Sequence, residues 1–201
     1  MTWLQGGPFL EISLITEDVE IKNLITKISR LKSISIIEEN IEKKINQFET
    51  GYLFDEEDSN SRRMHTIRLN IFVEVLGKRK SLLFIERVAE KTLLLNFCFF
   101  GSEFDAPEWE QKGIQEGEYH HFVSFLSELL KYLKGIAGAV AIEKDILELI
   151  SENNTRPDNV FSYKEINPTE LLKQGEHNNY YIAVAIKLEE KILITSFKSN
   201  S

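Results

Sequence analysis

Apolar positions recur along this chain in two periods, and each predicts a different element. Phe9-Leu10-Glu11-Ile12-Ser13-Leu14-Ile15 alternates over part of its length and predicts a strand. Ile21, Leu24, Ile25, Ile28 and Leu31 then form one stripe at helical spacing. Thr16 is a residue type that caps a helix, and Glu17, Asp18 and Glu20 put negative charge where a helix dipole favours it. A helix over 17–31 follows. Ser33-Ile34-Ser35-Ile36-Ile37 predicts a second strand. From Glu38 to Phe54 two readings compete. Ile41, Ile45 and Phe48 are spaced for a helix, whereas Gly51 and the aromatic residues after it suit a strand. Asp55-Glu56-Glu57-Asp58-Ser59-Asn60-Ser61 reads as a polar loop.

The middle of the chain predicts a three-stranded meander. Ile67, Leu69, Ile71, Val73 and Val75 alternate within 65–76, Gly77-Lys78-Arg79-Lys80 turns, and 81–88 and 92–100 are the next strands. Links this short join only antiparallel neighbours. The third strand is apolar on both faces, so it belongs centrally under other structure. After a long acidic connector, Tyr119, Phe122, Leu126, Leu129 and Leu133 predict an amphipathic helix over 118–133, with Lys134 and Gly135 marking its end. Residues 139–142 read as a short buried strand and 145–150 as a short helix that Asp145 caps. Residues 151–179 read as loop with a helical turn at 169–172. Residues 180–188 and 191–197 read as a closing hairpin, and 198–201 as a frayed end. The expected fold is α+β: a mixed, largely antiparallel sheet with a central three-stranded meander, packed by two main amphipathic helices.

Length agrees with one domain spanning 1–201. A chain of this size buries roughly 70% of its unfolded surface, enough for a core without staples. The single cysteine, Cys98, forbids an intramolecular disulfide and reads as a buried small hydrophobe rather than a nucleophile. No basic-then-apolar leader opens the chain and no run of about 18 uncharged apolar residues occurs. The expected place is the cytoplasm, with no membrane partner. The net charge is −8, from 24 Lys and Arg against 32 Asp and Glu. Such a surface repels phosphate backbones, so nucleic acid is not an expected partner and a basic protein is.

Candidate chemistry is sparse. Gly135-Ile136-Ala137-Gly138 lies between a helix and a strand, the reverse of a phosphate cradle. His65, His120, His121 and His177 form no metal-ligand spacing, and His120 and His121 sit about 100° apart around a helix. No metal and no cofactor are expected. The acidic pairs Asp105 with Glu108 and Glu143 with Asp145 are the material for an acid–base enzyme, an alternative reading. The most unusual stretch is the connector 103–118, which holds six acids, one lysine, and the apolar residues Phe104, Trp109 and Ile114. Aromatic anchors among carboxylates are the composition of a protein-binding surface. Phe104, Asp105, Glu108, Trp109 and Glu110 are the candidate partner-binding residues. The competing reading makes Trp109 a strap that pins the connector to the core.

Phe100-Gly101, Pro107-Glu108-Trp109, Glu118-Tyr119-His120-His121-Phe122 and Gly135 through Asp145 together resemble immunity proteins of bacterial polymorphic-toxin systems. The resemblance covers about residues 100–150. It implies a non-enzymatic protein that binds and occludes a cognate toxin, and it carries over no catalytic residue. A regulatory or scaffold domain without a toxin is the other alternative.

Overall fold

The computed structural model describes residues 8–17, 20–58, 61, 63–100, 113–150, 167–189 and 191–197. Among them the elements run β1 (Phe9–Thr16), α1 (Ile21–Ser29), β2 (Ile34–Ile36), α2 (Ile41–Thr50), β3 (Tyr52–Leu53) and β4 (Arg63–Met64). Next come β5 (Thr66–Glu74), β6 (Lys78–Ala89), β7 (Thr92–Phe100), a 3-10 turn (Glu116–Glu118), α3 (Tyr119–Tyr132) and β8 (Ala137–Ile142). The chain closes with α4 (Ile146–Ile150), α5 (Pro168–Glu176), β9 (Tyr181–Leu188) and β10 (Lys191–Ser196). The expected frayed end at 198–201 and residues 151–166 of the loop expected over 151–179 lie outside the described residues.

Eight strands form one sheet in the order β10-β9-β8-β1-β7-β6-β5-β2, and β3 pairs with β4 separately. Every pairing in the large sheet is antiparallel, so the sheet is not mixed. The β5–β6–β7 meander is present, with Leu69 opposite Leu83 and Leu83 opposite Phe97. The architecture is α+β.

β1 joins the two halves. It runs from Phe9 opposite Phe100 to Thr16 opposite Leu93 on one side, and pairs Leu10 with Ile142 through Ile15 with Ala137 on the other. Successive side chains on a strand face opposite ways, so β1 contributes to two cores. Leu10, Ile12 and Leu14 join Leu93, Leu95, Phe97 and Phe99 under α1, α2 and α3. Ile15 joins Ala137, Ala139, Ala141, Tyr181 and Val184 under α4 and α5.

Both amphipathic stripes face the larger core. Leu24, Ile25 and Ile28 of α1 are buried, as are Phe122, Phe125, Leu126, Leu129 and Leu130 of α3. Each such side chain contributes about 1.5–3 kcal/mol on burial. α3 meets the meander at β7, where the Phe97 and Phe99 rings pack edge-on against those of Phe125 and Phe122, with centroids 5.9 and 5.4 Å apart. The rest of α3 lies over β1, β8, β9 and β10.

Some boundaries differ from expectation for local reasons. α1 starts at Ile21 after Glu20, not at 17, and Thr16 stays in β1 with its hydroxyl donating to Leu133 O at 3.1 Å. α3 ends through Lys134, which takes φ +55°, and the Gly135 amide donates to Leu130 O at 2.9 Å. Gly138 is required by contact: a Cβ there would lie 2.7 Å from Ser13 O and from Leu126 Cδ1. The helical turn expected at 169–172 is part of α5, because Asn167 caps it through the Thr169 amide at 3.0 Å and Pro168 opens it.

Candidate functional site

The segment with competing readings resolves into both elements in turn. Asn40 caps α2 by accepting from the Lys43 amide at 3.1 Å. Ile41 and Ile45 are half-buried, and Phe48 is fully buried. His65 Nδ1 donates to Phe48 O at 2.8 Å, and its ring meets the Phe48 ring edge-on. Arg87 lies 5.1 Å over Phe48 and 3.5 Å from Glu49. Gly51 ends the helix at φ +67°, donating to Gln47 O at 2.8 Å. A Cβ at Gly51 would sit 2.7 Å from Met64 O, so glycine is the residue that lets the chain turn tightly onto β4.

β3 and β4 then form a short hairpin, Tyr52 opposite Met64 and Leu53 opposite Arg63. Arg63 Nη1 ties it to the helix end, donating to Thr50 O at 3.1 Å and Gly51 O at 3.2 Å. The connecting loop is locally braced. The Asp55 amide donates to Ser61 Oγ at 2.8 Å, and the Glu57 amide to Asp55 Oδ1 at 2.9 Å.

This unit presents an unusual surface. Residues 38–58 carry eight carboxylates against two lysines, a net −6 where the whole chain carries −8. Glu39, Glu42, Glu49, Asp55, Glu56, Glu57 and Asp58 are all exposed. Tyr52 and Phe54 stand among them at 50% and 58% exposure. Between α2 and the hairpin lies a cleft of about 750 Å³ lined by residues of both, with Thr66 at its side. By sequence, 55–61 reads as a polar loop and the aromatics after Gly51 as strand formers. The available signal was that the two aromatics abut a run of four acids.

The sequence-derived site residues Phe104, Asp105, Glu108, Trp109 and Glu110 lie outside the described residues. The described end of the connector is structural. Ile114, expected in a solvated stretch, is completely buried in the larger core. Gln115 and Glu118 make a capping box before α3, with the Gln115 amide donating to Glu118 Oε2 at 2.9 Å. The His120 and His121 rings lie with centroids 3.9 Å apart at a tilt of 39°, and His120 Nδ1 donates to Gly117 O at 2.8 Å.

A second polar group crosses the opposite sheet face. Asn96 Nδ2 donates to the Glu11 carboxylate from diagonally across the β1–β7 pair. Burial pushes the Glu11 carboxyl above its usual range. The Asn96 bond opposes that shift, and Asp145, Glu148 and Glu143 reinforce it. Cys98 stands directly opposite Glu11 and is buried. Burial and then the Glu11 charge raise its thiol far above neutral, which keeps it a thiol rather than a thiolate. Of the acidic pair Glu143 and Asp145, Asp145 is buried and accepts from the Leu147 amide at 2.8 Å, the helix-capping role expected of it. Its carbonyl accepts from the Tyr181 hydroxyl at 2.7 Å. Ser13 Oγ accepts from the Ile146 amide at 2.8 Å. These groups position α4 against the sheet.

Among the described residues no group of three or more His, Cys, Asp or Glu could hold a metal ion, and no helix is long and apolar enough to cross a membrane. No family model, no curated protein and no solved structure matches this chain.

Proposed function

We propose that this chain is a non-enzymatic protein-binding domain, an immunity protein that occludes a basic toxin domain through its acidic surface. The observation that carries the reading is the α2–hairpin unit. It holds a net −6 within 38–58, with Tyr52 and Phe54 half or more exposed among the carboxylates. Exposed aromatics supply contact area, and surrounding charge of one sign steers a partner of the other. The connector repeats the composition with Phe104, Asp105, Glu108, Trp109 and Glu110. Its resemblance to toxin-immunity proteins gives the partner its class.

The test is co-purification from the native host, followed by assay of the captured basic protein with and without this chain. Loss of the partner's activity on binding is the expected result. A partner that keeps its full activity in the complex would move the reading to a regulatory or scaffold domain. Charge reversal by Glu56→Lys with Glu57→Lys, or by Glu108→Lys with Glu110→Lys, should slow association and reduce its salt dependence. Trp109→Ala separates anchor from strap. An anchor at the centre of the interface costs about 2 kcal/mol or more of affinity, through faster dissociation. A strap instead loses thermal stability and leaves affinity unchanged.

A further inference from the structure

We propose that β10, the last strand of the large sheet, pairs with β10 of a second copy of this chain, antiparallel about a two-fold axis at Ile194. The inference stands on the sheet edge alone and does not depend on the toxin reading.

The hydrogen-bond parity of the closing hairpin fixes what the edge offers. β10 meets β9 in one unbroken register, from Lys191 opposite Leu188 to Ser196 opposite Ala183. The Phe197 amide donates to Ile182 O at 2.8 Å, one step further along that register. Residues of an antiparallel ladder alternately bond to their partner strand and turn away from it. Leu193 and Thr195 therefore bond to β9 as Phe197 does, and Ile192, Ile194 and Ser196 turn their amides and carbonyls outward. β10 ends the strand order, and none of these outward groups has a hydrogen-bond partner among the described residues.

Sheet edges are commonly guarded by charge, proline or a bulge. The opposite edge is guarded: beyond β2, Lys44 and Glu38 bond the Arg68 carbonyl and the Asn70 amide. Between Ile192 and Ser196 no charged residue and no proline occurs. Leu193, opposite Ile186 on the sheet face that carries α4 and α5, is 43% exposed. Ile192 and Ile194, on the other face, are half-buried.

A second copy is the occupant that the strand itself specifies. With Ile194 opposite Ile194 of the second copy, Ile192 falls opposite its Ser196. All three outward residues of each copy then exchange both bonds, and no outward group is left over. Leu193 is covered by Thr195 of the second copy, and the two Lys191 residues stand at opposite ends, so no like charges face each other. Charge agrees. Over 181–197, Lys187 and Lys191 balance Glu189 and Glu190, whereas 38–58 carries a net −6. That acidic segment packs through α2 on β5, towards the other end of the sheet. Pairing through β10 joins the neutral ends and keeps the acidic ends apart.

The interface is one strand wide, so a weak dimer is expected, with a Kd in the micromolar range. Sedimentation of the full chain over a dilution series measures it. Leu193→Lys sets a charge at the seam, and Ser196→Pro deletes one outward amide in each copy. Each should weaken the dimer about tenfold or more. Both positions are exposed, and an unchanged thermal transition of the diluted chain checks that the fold is kept. Mild oxidation tests the register. Ile194→Cys should give a disulfide-linked dimer, because Cα atoms of a hydrogen-bonded pair lie about 5.5 Å apart. Leu193→Cys should not, because the two copies of that position lie diagonally, about 7–8 Å apart. A chain that sediments as a monomer at about 200 µM, well above a micromolar Kd, overturns the proposal. So does a dimer that neither surface variant weakens, or one that cross-links through Leu193→Cys and not through Ile194→Cys. A monomer whose captured partner is released by Leu193→Lys would mean that the edge takes a foreign strand, which overturns the second copy as its occupant.

Discussion

Lys44 Nζ lies 2.8 Å from the Glu38 carboxylate, and the pair closes an edge of the large sheet. β2 covers only Ile71–Val73 of β5. Beyond it, Lys44 donates to Arg68 O at 2.7 Å and the Asn70 amide donates to Glu38 Oε1. Backbone groups that would otherwise template a foreign strand are thereby satisfied by side chains. Lys44→Met should destabilise the fold by about 1–3 kcal/mol, because the Glu38 side chain is 8% exposed and loses its counterion. A denaturant midpoint measures this. A double-mutant cycle of the pair should give a coupling above the ~0.2–1 kcal/mol of exposed ion pairs.

Close packing at Gly138 gives a second expectation. Gly138→Ala places a methyl 2.7 Å from Ser13 O, a backbone atom that cannot step aside. The variant should lose about 1–3 kcal/mol, in the range of overpacked cores. Gly117→Ala meets nothing within 4 Å and should stay within about 0.5 kcal/mol of wild type, which makes it the matched control in the same thermal scan.

Glu11 sets an unusual pH dependence. Its carboxyl is raised in the folded state, first by burial and then by Asp145, Glu148 and Glu143. The folded protein therefore holds that proton more tightly than the unfolded chain does. Stability from this group is fully present below the ordinary glutamate range and is lost as pH rises through the raised folded value. Glu11→Gln, which keeps the Asn96 contact but cannot ionise, should flatten the thermal stability profile over that window. A profile unchanged by the substitution would show that Glu11 does not carry the dependence.

Cys98 should resist thiol reagents in the native protein. Its side chain packs with Leu82, Phe9 and Phe100, and burial keeps the thiol protonated. Labelling should proceed only through opening of the sheet, slower by orders of magnitude than in denaturant. Rapid labelling at neutral pH under native conditions would contradict the burial.

Much of the fold was legible because period is a local property. The stripes of α1 and α3 and the alternation of β5 name their elements without reference to anything distant. α2 was harder, since Ile41, Ile45 and Phe48 are its whole apolar face and Gly51 breaks the pattern at once. α5 reads as a single turn because Leu171 and Leu172 are its only large apolar residues, while its start is set by the Asn167-Pro168 cap rather than by period. The strand order was not legible. β1 selects β7 and β8 as neighbours, and nothing in its own alternation says so. The site was half legible. Acids beside aromatics are a readable composition, but the exposure of Tyr52 and Phe54 follows from the turn at Gly51, which is a three-dimensional fact.

The position of β1 has a consequence for synthesis. The strand leaves the ribosome before either of its neighbours. At about 5–20 residues per second, roughly 4 to 17 s separate Thr16 from Phe100, the last residue of β7 and the first of its neighbours to be made. Throughout that interval Leu10, Ile12, Leu14 and Ile15, all completely buried in the finished protein, have no second strand to lie against. The nascent chain thus carries for that time an unpaired strand, apolar over much of both faces. Such a segment is a natural substrate for a holding chaperone, and a truncation that removes it would separate the β10-β9-β8 sheet from the β7-β6-β5-β2 sheet.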